Sequence, residues 1–265
     1  MVYVGRRFMF VLLPVAALLI TILVASAQET AEPGGVKNIV LVHGAWADGS
    51  SWAKVIPLLQ ARGYNVVAVQ NPLSSLADDV AATKRAIAQQ NGPVILVGHS
   101  WAGMVISEAG NDPKVAGLVY ISGLVPQKGE AAGDATKGYP PAPGLAQAKA
   151  DASGWLTMTR QGVDQDFVPE LPATERAIIY ATQAPWNSKA LGDKVMDPAW
   201  QIKQSWLIVD SDDRMIPPQY ERDSAKRIHA ITTVLPSGHV PMLSMPDRVV
   251  AVIIDAANRS RKGTR

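Results

Sequence analysis

The stretch Pro93-Val-Ile-Leu-Val-Gly-His-Ser-Trp-Ala-Gly-Met-Val-Ile106 decides how the rest of the sequence is interpreted. Its apolar run Val94–Val97 predicts a fully buried strand, and a helical pattern of apolar residues begins just beyond Ser100. Between them lies Gly98-His-Ser-Trp-Ala102, a G-x-S-x-small sequence. A serine at such a strand-to-helix turn has a strained backbone that only small neighbours tolerate, and its hydroxyl stands above the sheet edge. The pattern equally fits a serine that caps the helix, so the remaining residues must separate the two interpretations.

Apolar runs that alternate with helical patterns predict an α/β fold. We predict strands at Val36–Val42, Tyr64–Val69, Val94–Val97, Gly117–Ser122, Trp206–Val209 and Thr232–Leu235. These runs are apolar throughout, which is typical of parallel strands covered on both faces. We therefore expect a doubly wound, mainly parallel sheet of about six strands with helices on both faces.

The alternation of strands and helices stops between residues 126 and 197. This segment contains Pro140, Pro141 and Pro143, shows helical patches, and has no strand of convincing length. It is too long for a loop between two core strands, so we interpret it as an inserted helical cap. The alternative is a poorly ordered insertion. The predicted core is accordingly divided between residues 28–125 and 198–265.

The first 27 residues have the pattern of a signal peptide. Arg6 and Arg7 form a basic region, Phe8–Val24 is apolar, and Ala25-Ser-Ala27 has the small residues of a cleavage site. Cleavage there predicts an exported protein, periplasmic or secreted, without stable membrane association. The alternative is an uncleaved N-terminal membrane anchor, because the apolar run is nearly long enough to span a bilayer.

Composition limits the classes of partner and chemistry. Lys and Arg total 25 against 23 Asp and Glu, and this near balance gives no electrostatic reason to expect nucleic acid as a partner. The chain has no cysteine, which excludes a thiol nucleophile and a thiolate metal site. Neither a metal nor an organic cofactor is implied by any motif.

A serine nucleophile needs a base within hydrogen-bond reach, and that base needs an orienting acid. His239 lies in a loop after a late strand, and such loops meet at the sheet edge that carries Ser100. Three carboxylates follow the strand Trp206–Val209. We favour Asp213 as the acid over Asp212, whereas Asp210 ends the strand or caps the turn.

An acyl-transfer site also needs hydrogen-bond donors for the oxyanion, typically two backbone N–H groups. We expect these from Trp101, at the start of the helix after Ser100, and from Ala45, in the loop after the first strand. Four tryptophans are candidates for the wall of an apolar substrate pocket, although tryptophans at such positions more often serve packing than recognition. These candidates are Trp46, Trp101, Trp155 and Trp186.

These residues resemble the α/β-hydrolase fold superfamily over nearly the whole chain after the signal. The order Ser100, Asp213, His239 matches that family's order of nucleophile, acid and base. Four stretches are similar to a bacterial serine-esterase branch related to plant methylesterases and hydroxynitrile lyases. They are V-L-V-H-G-A-W-A-D-G-S-S-W, G-H-S-W-A-G, D-D-R-M-I-P-P and G-H-V-P-M-L-S-M-P. The resemblance implies an acid at Asp213. Two departures are Ala102, where glycine is commonest, and the absence of the usual two leading antiparallel strands.

The leading hypothesis is a serine hydrolase that cleaves a small carboxylic ester through an acyl-enzyme on Ser100. The alternative is another reaction of the same triad, namely lactone hydrolysis, C–C or cyanohydrin cleavage, or cofactor-free peroxidation, because a triad alone does not fix the substrate. A non-catalytic ligand-binding protein of this fold is the hypothesis from a different class, and the complete set of Ser100, His239 and Asp213 argues against it.

Overall fold

The computed structural model describes residues 1–3, 5 and 35–260. The chain divides into two units, Met1–Thr30 and Ala31–Arg265, and the fold below is that of the second. The predicted signal peptide, residues 1–27, lies outside the described residues except for 1–3 and 5. Within the described ranges, no helix has both the length and the apolar character needed to span a bilayer.

A parallel sheet of six strands forms the centre of the described fold, as predicted. Its strands, in chain order, are β1 Asn38–Val42, β2 Asn65–Val69, β3 Val94–His99, β4 Val115–Ile121, β10 Ser205–Asp210 and β11 Ile231–Leu235. Their spatial order is β11-β10-β4-β3-β1-β2. Every residue of β1, β3 and β10 is buried, which explains the unbroken apolar runs of the sequence.

The strand order reverses where β1 lies between β2 and β3. Val42, at the end of β1, pairs with Gly98 near the end of β3, so the loops that follow these two strands lie side by side. Such a reversal point opens a crevice at the carboxyl ends of parallel strands, where ligands bind in open α/β sheets. The predicted nucleophile and the predicted oxyanion loop both lie at this crevice.

Helices cover the sheet in two groups. α1 Ile56–Gln60 packs beside α9 Pro246–Arg259, and α2 Leu76–Ala88 packs beside α3 Ala102–Ala109. α7 Pro218–Arg227 packs on β10, and α8 Pro241–Ser244 leads into α9. Right-handed crossovers that run in opposite directions along the sheet lie on opposite faces of the sheet. The direction reverses at β1, so helices cover both faces, and the doubly wound prediction is confirmed.

The first helix begins later than the sequence pattern predicts. A helical pattern from Ser50 predicts one continuous helix, but the structure has a 3-10 turn at Gly49–Trp52, capped by Asp48, and α1 begins only at Ile56. Pro57 occupies the first turn of α1, where its missing N–H costs nothing, so the helix starts there.

The segment between β4 and β10, here called the cap, contains helical segments and also short strands that the sequence pattern did not predict. Its assignment to residues 126–197 as a separate insertion stays a prediction. α6 Ala173–Thr182 is its longest helix and has no buried residue. The other helical segments are α4 Ala132–Ala135, α5 Arg160–Gly162, a π-helical turn Val163–Phe167, and the 3-10 turns Pro143–Gln147, Ser188–Gly192 and Ala199–Gln201. Its strands form two small antiparallel sheets, β5 Glu130–Ala131 with β9 Lys194–Val195, and β6 Ala148–Ala150 with β7 Trp155–Met158 and β8 Trp186–Asn187.

Candidate active site

Ser100 occupies a sharp turn between β3 and α3. Its φ of +56° lies in the left-handed region that residues with a side chain rarely adopt. A Cβ atom at position 98 would lie 2.7 Å from the Ala102 carbonyl oxygen, and one at position 44 would lie 2.7 Å from the Ser100 Cβ. Glycine at 98 and 44 therefore lets two backbones approach the turn, and a strained serine is the form that a nucleophile takes at such a turn.

Three side chains from three loops form one continuous chain of hydrogen bonds. The Ser100 hydroxyl donates to His239 Nε2 at 2.8 Å, and His239 Nδ1–H donates to Asp213 Oδ2 at 2.7 Å. The other oxygen of Asp213 accepts the backbone N–H groups of Met215 at 2.6 Å and Ile216 at 3.0 Å. His239 is 1% exposed and Asp213 is 6% exposed. The carboxylate is thus fixed, and it fixes the ring in the orientation that leaves Nε2 for the serine.

The other two carboxylates of this loop lie elsewhere. Asp210 is fully buried and accepts the hydroxyl of Ser122 at 2.6 Å. Asp212 is exposed, and its carboxylate accepts the hydroxyl of Ser211 at 3.3 Å. The structure therefore brings Asp213, and neither neighbour, to the imidazole of His239.

The predicted oxyanion donors border the same cavity as the serine. Ala45 and Trp101 both line a cavity of about 60 Å³ that includes Ser100. Within residues 35–260, neither of their backbone N–H groups donates to another acceptor. His43 fixes the turn before Ala45, because its Nδ1–H donates to the Gly44 carbonyl at 2.9 Å and its Nε2 accepts the Asn71 N–H at 2.9 Å.

Three of the four candidate tryptophans line this Ser100 cavity, and one does not. Trp46, Trp101 and Trp186 form its aromatic wall, with the rings of Trp101 and Trp186 5.1 Å apart. Trp155 does not line it: it lies half-buried on cap strand β7, one residue before Leu156. Successive side chains of a strand point to opposite faces, and sequence alone does not show which face the cap strand presents to the site.

The geometry matches a known fold family. The model of the Alpha/beta hydrolase family matches residues 39–252. The chain belongs to this family. It is 30% identical to the pyrethroid hydrolase of Sphingobium wenxiniae, over 84% of this chain and 88% of that one, and 23% identical to salicylic acid-binding protein 2 of Nicotiana tabacum, over 84% and 97%. The crystal structure of a pyrethroid hydrolase from Sphingobium faniae superposes with a TM-score of 0.72 at 24% identity, over 84% and 98%, which shows the common fold.

The family and the hydrolase class predicted from the sequence are therefore confirmed. Residues 35–260 of this hydrolase contain no group of three or more His, Asp or Glu residues arranged to hold a metal ion.

Two supports of the His239 loop have no signal in the sequence. His99 lies beneath the loop, fully buried, and its Nε2–H donates to the His239 carbonyl at 2.8 Å. Burial and the neighbouring His239 hold the pKa of His99 well below its usual range, so the ring is neutral. Glu170 of the cap accepts the Gly238 N–H at 2.5 Å, immediately before His239.

Residues of the cap also form hydrogen bonds to the loop that carries Asp213. Asp166, which is buried, accepts Arg214 Nε–H at 2.7 Å, and Arg214 is the residue after Asp213. The Gly144 N–H donates to the Arg214 carbonyl at 2.9 Å. These bonds and the Glu170 bond connect the cap of the hydrolase to the two loops that carry Asp213 and His239.

A buried carboxylate positions the indole of Trp101. Asp79 is fully buried on α2 and accepts Trp101 Nε1–H at 2.7 Å and the Leu73 N–H at 2.8 Å. Burial raises the pKa of Asp79 to about 6, against the effect of both hydrogen bonds. Asp79 thus fixes the indole of Trp101, which forms one wall of the Ser100 cavity. No pattern in the sequence indicates this contact.

Behind Asp213 lies a cluster of further acids. Burial raises the pKa of Asp210 to about 8, and burial together with Asp213 and Asp210 raises the pKa of Glu221 well above its usual range. Both residues are fully buried, and the Asp210 N–H donates to Glu221 Oε2 at 2.7 Å. Adjacent carboxylates that share a dry site cannot all ionise, which favours the neutral forms of Asp210 and Glu221.

Replacing Asp210 by asparagine should change how stability depends on pH. The folded-state pKa of about 8 lies above the ordinary 3.8, so the folded protein keeps a proton that the unfolded chain releases. This stabilisation is complete below about pH 4 and is lost as the pH rises towards 8. Asparagine does not titrate. The unfolding free energy of the wild type should therefore fall relative to Asp210→Asn by up to about 1.4 kcal/mol per pH unit in this interval.

Urea unfolding of both proteins at about pH 5, 6.5 and 8 measures this difference. Parallel curves of unfolding free energy against pH would show that Asp210 is ionised in the folded protein, contrary to the neutral cluster.

Proposed function

We propose that this protein is a serine hydrolase of carboxylic esters, with Ser100 as nucleophile, His239 as general base and Asp213 as orienting acid. The observation that carries the proposal is the unbroken chain of hydrogen bonds from the Ser100 hydroxyl through His239 to Asp213, opening on an apolar cavity. A serine hydroxyl becomes a useful nucleophile only with such an oriented base. The names of two relatives support ester hydrolysis: the pyrethroid hydrolase, and Methylesterase 3 of Arabidopsis thaliana, which is 22% identical over 84% of this chain and 97% of that one.

The first half-reaction forms the acyl-enzyme. Ser100 Oγ attacks the ester carbonyl carbon while His239 Nε2 takes the hydroxyl proton. The negative oxygen that forms is bound by the backbone N–H groups of Ala45 and Trp101, which border the Ser100 cavity. The imidazolium then gives its proton to the ester oxygen, the C–O bond breaks, and the alcohol leaves.

Water completes the cycle. His239 takes a proton from a water molecule, whose oxygen attacks the acyl carbon. The tetrahedral species collapses, the proton returns to Ser100 Oγ, and the carboxylic acid leaves. Throughout, Asp213 keeps the ring in one tautomer and stabilises its charged form, and its own position is fixed by two backbone N–H groups.

Labelling with a fluorophosphonate tests the nucleophile, and a panel of short- and long-chain acyl esters, aryl esters and lactones tests the reaction. We expect about one phosphonate per chain, located on Ser100 by peptide mass spectrometry, and no label in Ser100→Ala. The matched control is Ser153→Ala, an exposed serine just before β7 that should leave labelling unchanged.

Ester turnover without labelling at Ser100 would refute the assigned nucleophile. Labelling at Ser100 without hydrolysis of any ester would retain the nucleophile and exclude the ester as substrate, leaving another reaction of the triad.

A further inference from the structure

Two cavities share one lining residue, Trp46. The Ser100 cavity has a volume of about 60 Å³. A second cavity of about 270 Å³, here called the Phe167 cavity, is lined by Phe167, His99, Val240, Met242 and Ile178. The Trp46 ring lines both. An ester has two halves on either side of its carbonyl, and these cavities differ more than fourfold in volume.

The general base lies on the side of the Phe167 cavity. The His239 ring packs against Phe167, with centroids 5.6 Å apart, and against His99, with centroids 4.8 Å apart. Val240 follows His239 directly, and all three neighbours line the Phe167 cavity. The nucleophile and the residues of the two oxyanion donors line the Ser100 cavity instead.

This separation assigns the two halves of the substrate. The leaving oxygen must come within hydrogen-bond reach of His239 Nε2, because the ring protonates it as the C–O bond breaks. The acyl carbon stays bonded to Ser100 with its oxygen at the N–H groups of Ala45 and Trp101. On the basis of the proposed ester hydrolysis, we propose that the alcohol half binds in the Phe167 cavity, the acyl half binds in the Ser100 cavity, and Trp46 is the partition that limits acyl size.

Trp46 is held as a fixed wall. It is 4% exposed, and its Nε1–H donates to the Leu156 carbonyl of the cap at 3.1 Å. Its ring makes edge contacts with Phe167 and Trp186, at centroid distances of 6.5 and 5.5 Å. The backbone at Trp46 has a φ of +57°, in the left-handed region. Contacts on several sides leave the ring no room to move aside for a large acyl group.

The charges around the Phe167 cavity select an uncharged alcohol. Lys54 and Glu175 border the cavity, and they pair with each other at 2.7 Å. The Asp48 carboxylate accepts the Ser50 N–H and caps the adjacent 3-10 turn. The rest of the lining is mostly apolar or aromatic. The substrate class is therefore an ester of a short acid and a larger, uncharged, apolar alcohol.

Two matched series of esters test the assignment on the wild-type enzyme. One keeps an acetyl group and enlarges the alcohol from methyl to cyclohexylmethyl to naphthylmethyl; the other keeps a methyl alcohol and enlarges the acid from acetic to cyclohexylacetic to naphthylacetic. We expect kcat/KM to rise at least about tenfold along the first series and to fall at least about tenfold along the second. All three alcohols in the first series are primary alkyl alcohols, and all three acids in the second carry a CH₂ or CH₃ next to the carbonyl, so the members of a series differ mainly in size.

Variants locate the effect. Trp46→Ala should raise kcat/KM for the methyl ester of the largest acid, relative to methyl acetate, at least about tenfold. Phe167→Ala should lower the ratio of kcat/KM for naphthylmethyl acetate to kcat/KM for methyl acetate at least about fivefold. Trp155→Ala is the matched control: Trp155 lines neither cavity, and both ratios should stay at their wild-type values.

The outcomes separate this inference from the proposed function. Hydrolysis of esters with the opposite size preference, or Trp46→Ala without any gain on large acids, would overturn the assignment while ester hydrolysis stands. No hydrolysis of either series, with no phosphonate on Ser100, would refute the proposed function and the assignment with it.

Discussion

Asp213→Asn should lower kcat by about 10⁴-fold, with the fold intact, because this change in a serine triad leaves the imidazole in the wrong tautomer. His239 Nδ1–H donates to Asp213 Oδ2, while Asp213 Oδ1 accepts two backbone N–H groups. In the variant, the amide oxygen keeps those backbone bonds and the amide NH₂ faces the ring. Nδ1 then becomes an acceptor, so the ring proton moves to Nε2. A protonated Nε2 can no longer accept the proton of Ser100.

Steady-state kinetics on one ester, with circular dichroism to check the fold, measures the loss. Asp212→Asn is the matched control, because Asp212 is exposed and makes no contact with His239; its kcat should stay within about twofold of wild type. Equal losses in the two variants would mean that the loop as a whole, and not the Asp213 carboxylate, supports the base.

Gly103→Ala should lower the free energy of unfolding by about 3 kcal/mol or more, and activity should fall with it. A Cβ atom at position 103 would lie 1.9 Å from the Leu124 carbonyl oxygen and 2.9 Å from its backbone nitrogen. Both are backbone atoms, which cannot move aside as a flexible side chain can. The Leu124 N–H donates to the Ser100 carbonyl at 3.1 Å, so separating these backbones also displaces the nucleophile.

Urea unfolding gives the stability difference, and kcat on the same ester gives the catalytic one. The matched control is Gly123→Ala, where the nearest atom to a new Cβ is 3.4 Å away and the φ angle is not in the left-handed region. A stable Gly103→Ala variant with wild-type activity would show that α3 can shift away from Leu124 without disturbing Ser100.

Sequence pattern predicted the core because the inner strands β1, β3 and β10 are buried on both faces and therefore have unbroken apolar runs. Val94–Val97 lies inside β3, and Trp206–Val209 lies inside β10. The strands of the cap escaped prediction because each has only two to four residues, too few to show an alternating pattern. Their stability comes from pairing with distant segments, as Leu156 pairs with Trp186.

The candidate triad could be predicted because parallel strands deliver their following loops to one edge, which is a property of topology. Its supports could not, because they depend on contacts between residues far apart in the chain. Glu170 reaches Gly238 from the cap, and Asp79 reaches Trp101 from α2. His99 has the residue type of a catalytic base, and only the direction of its ring assigns it to the His239 carbonyl.

The hydrogen bonds between the cap and the loops that carry Asp213 and His239 restrict the routes by which a substrate can enter the site. Lifting the whole cap would break the Glu170 bond to Gly238 and the Asp166 bond to Arg214, and so would disorganise the site at the moment of loading. Helix α6 is different, since none of its residues is buried and Ile178 is 62% exposed at the border of the Phe167 cavity. Entry through local motion of α6 would leave Asp213 and His239 in place, so turnover of large esters should follow the mobility of this one helix.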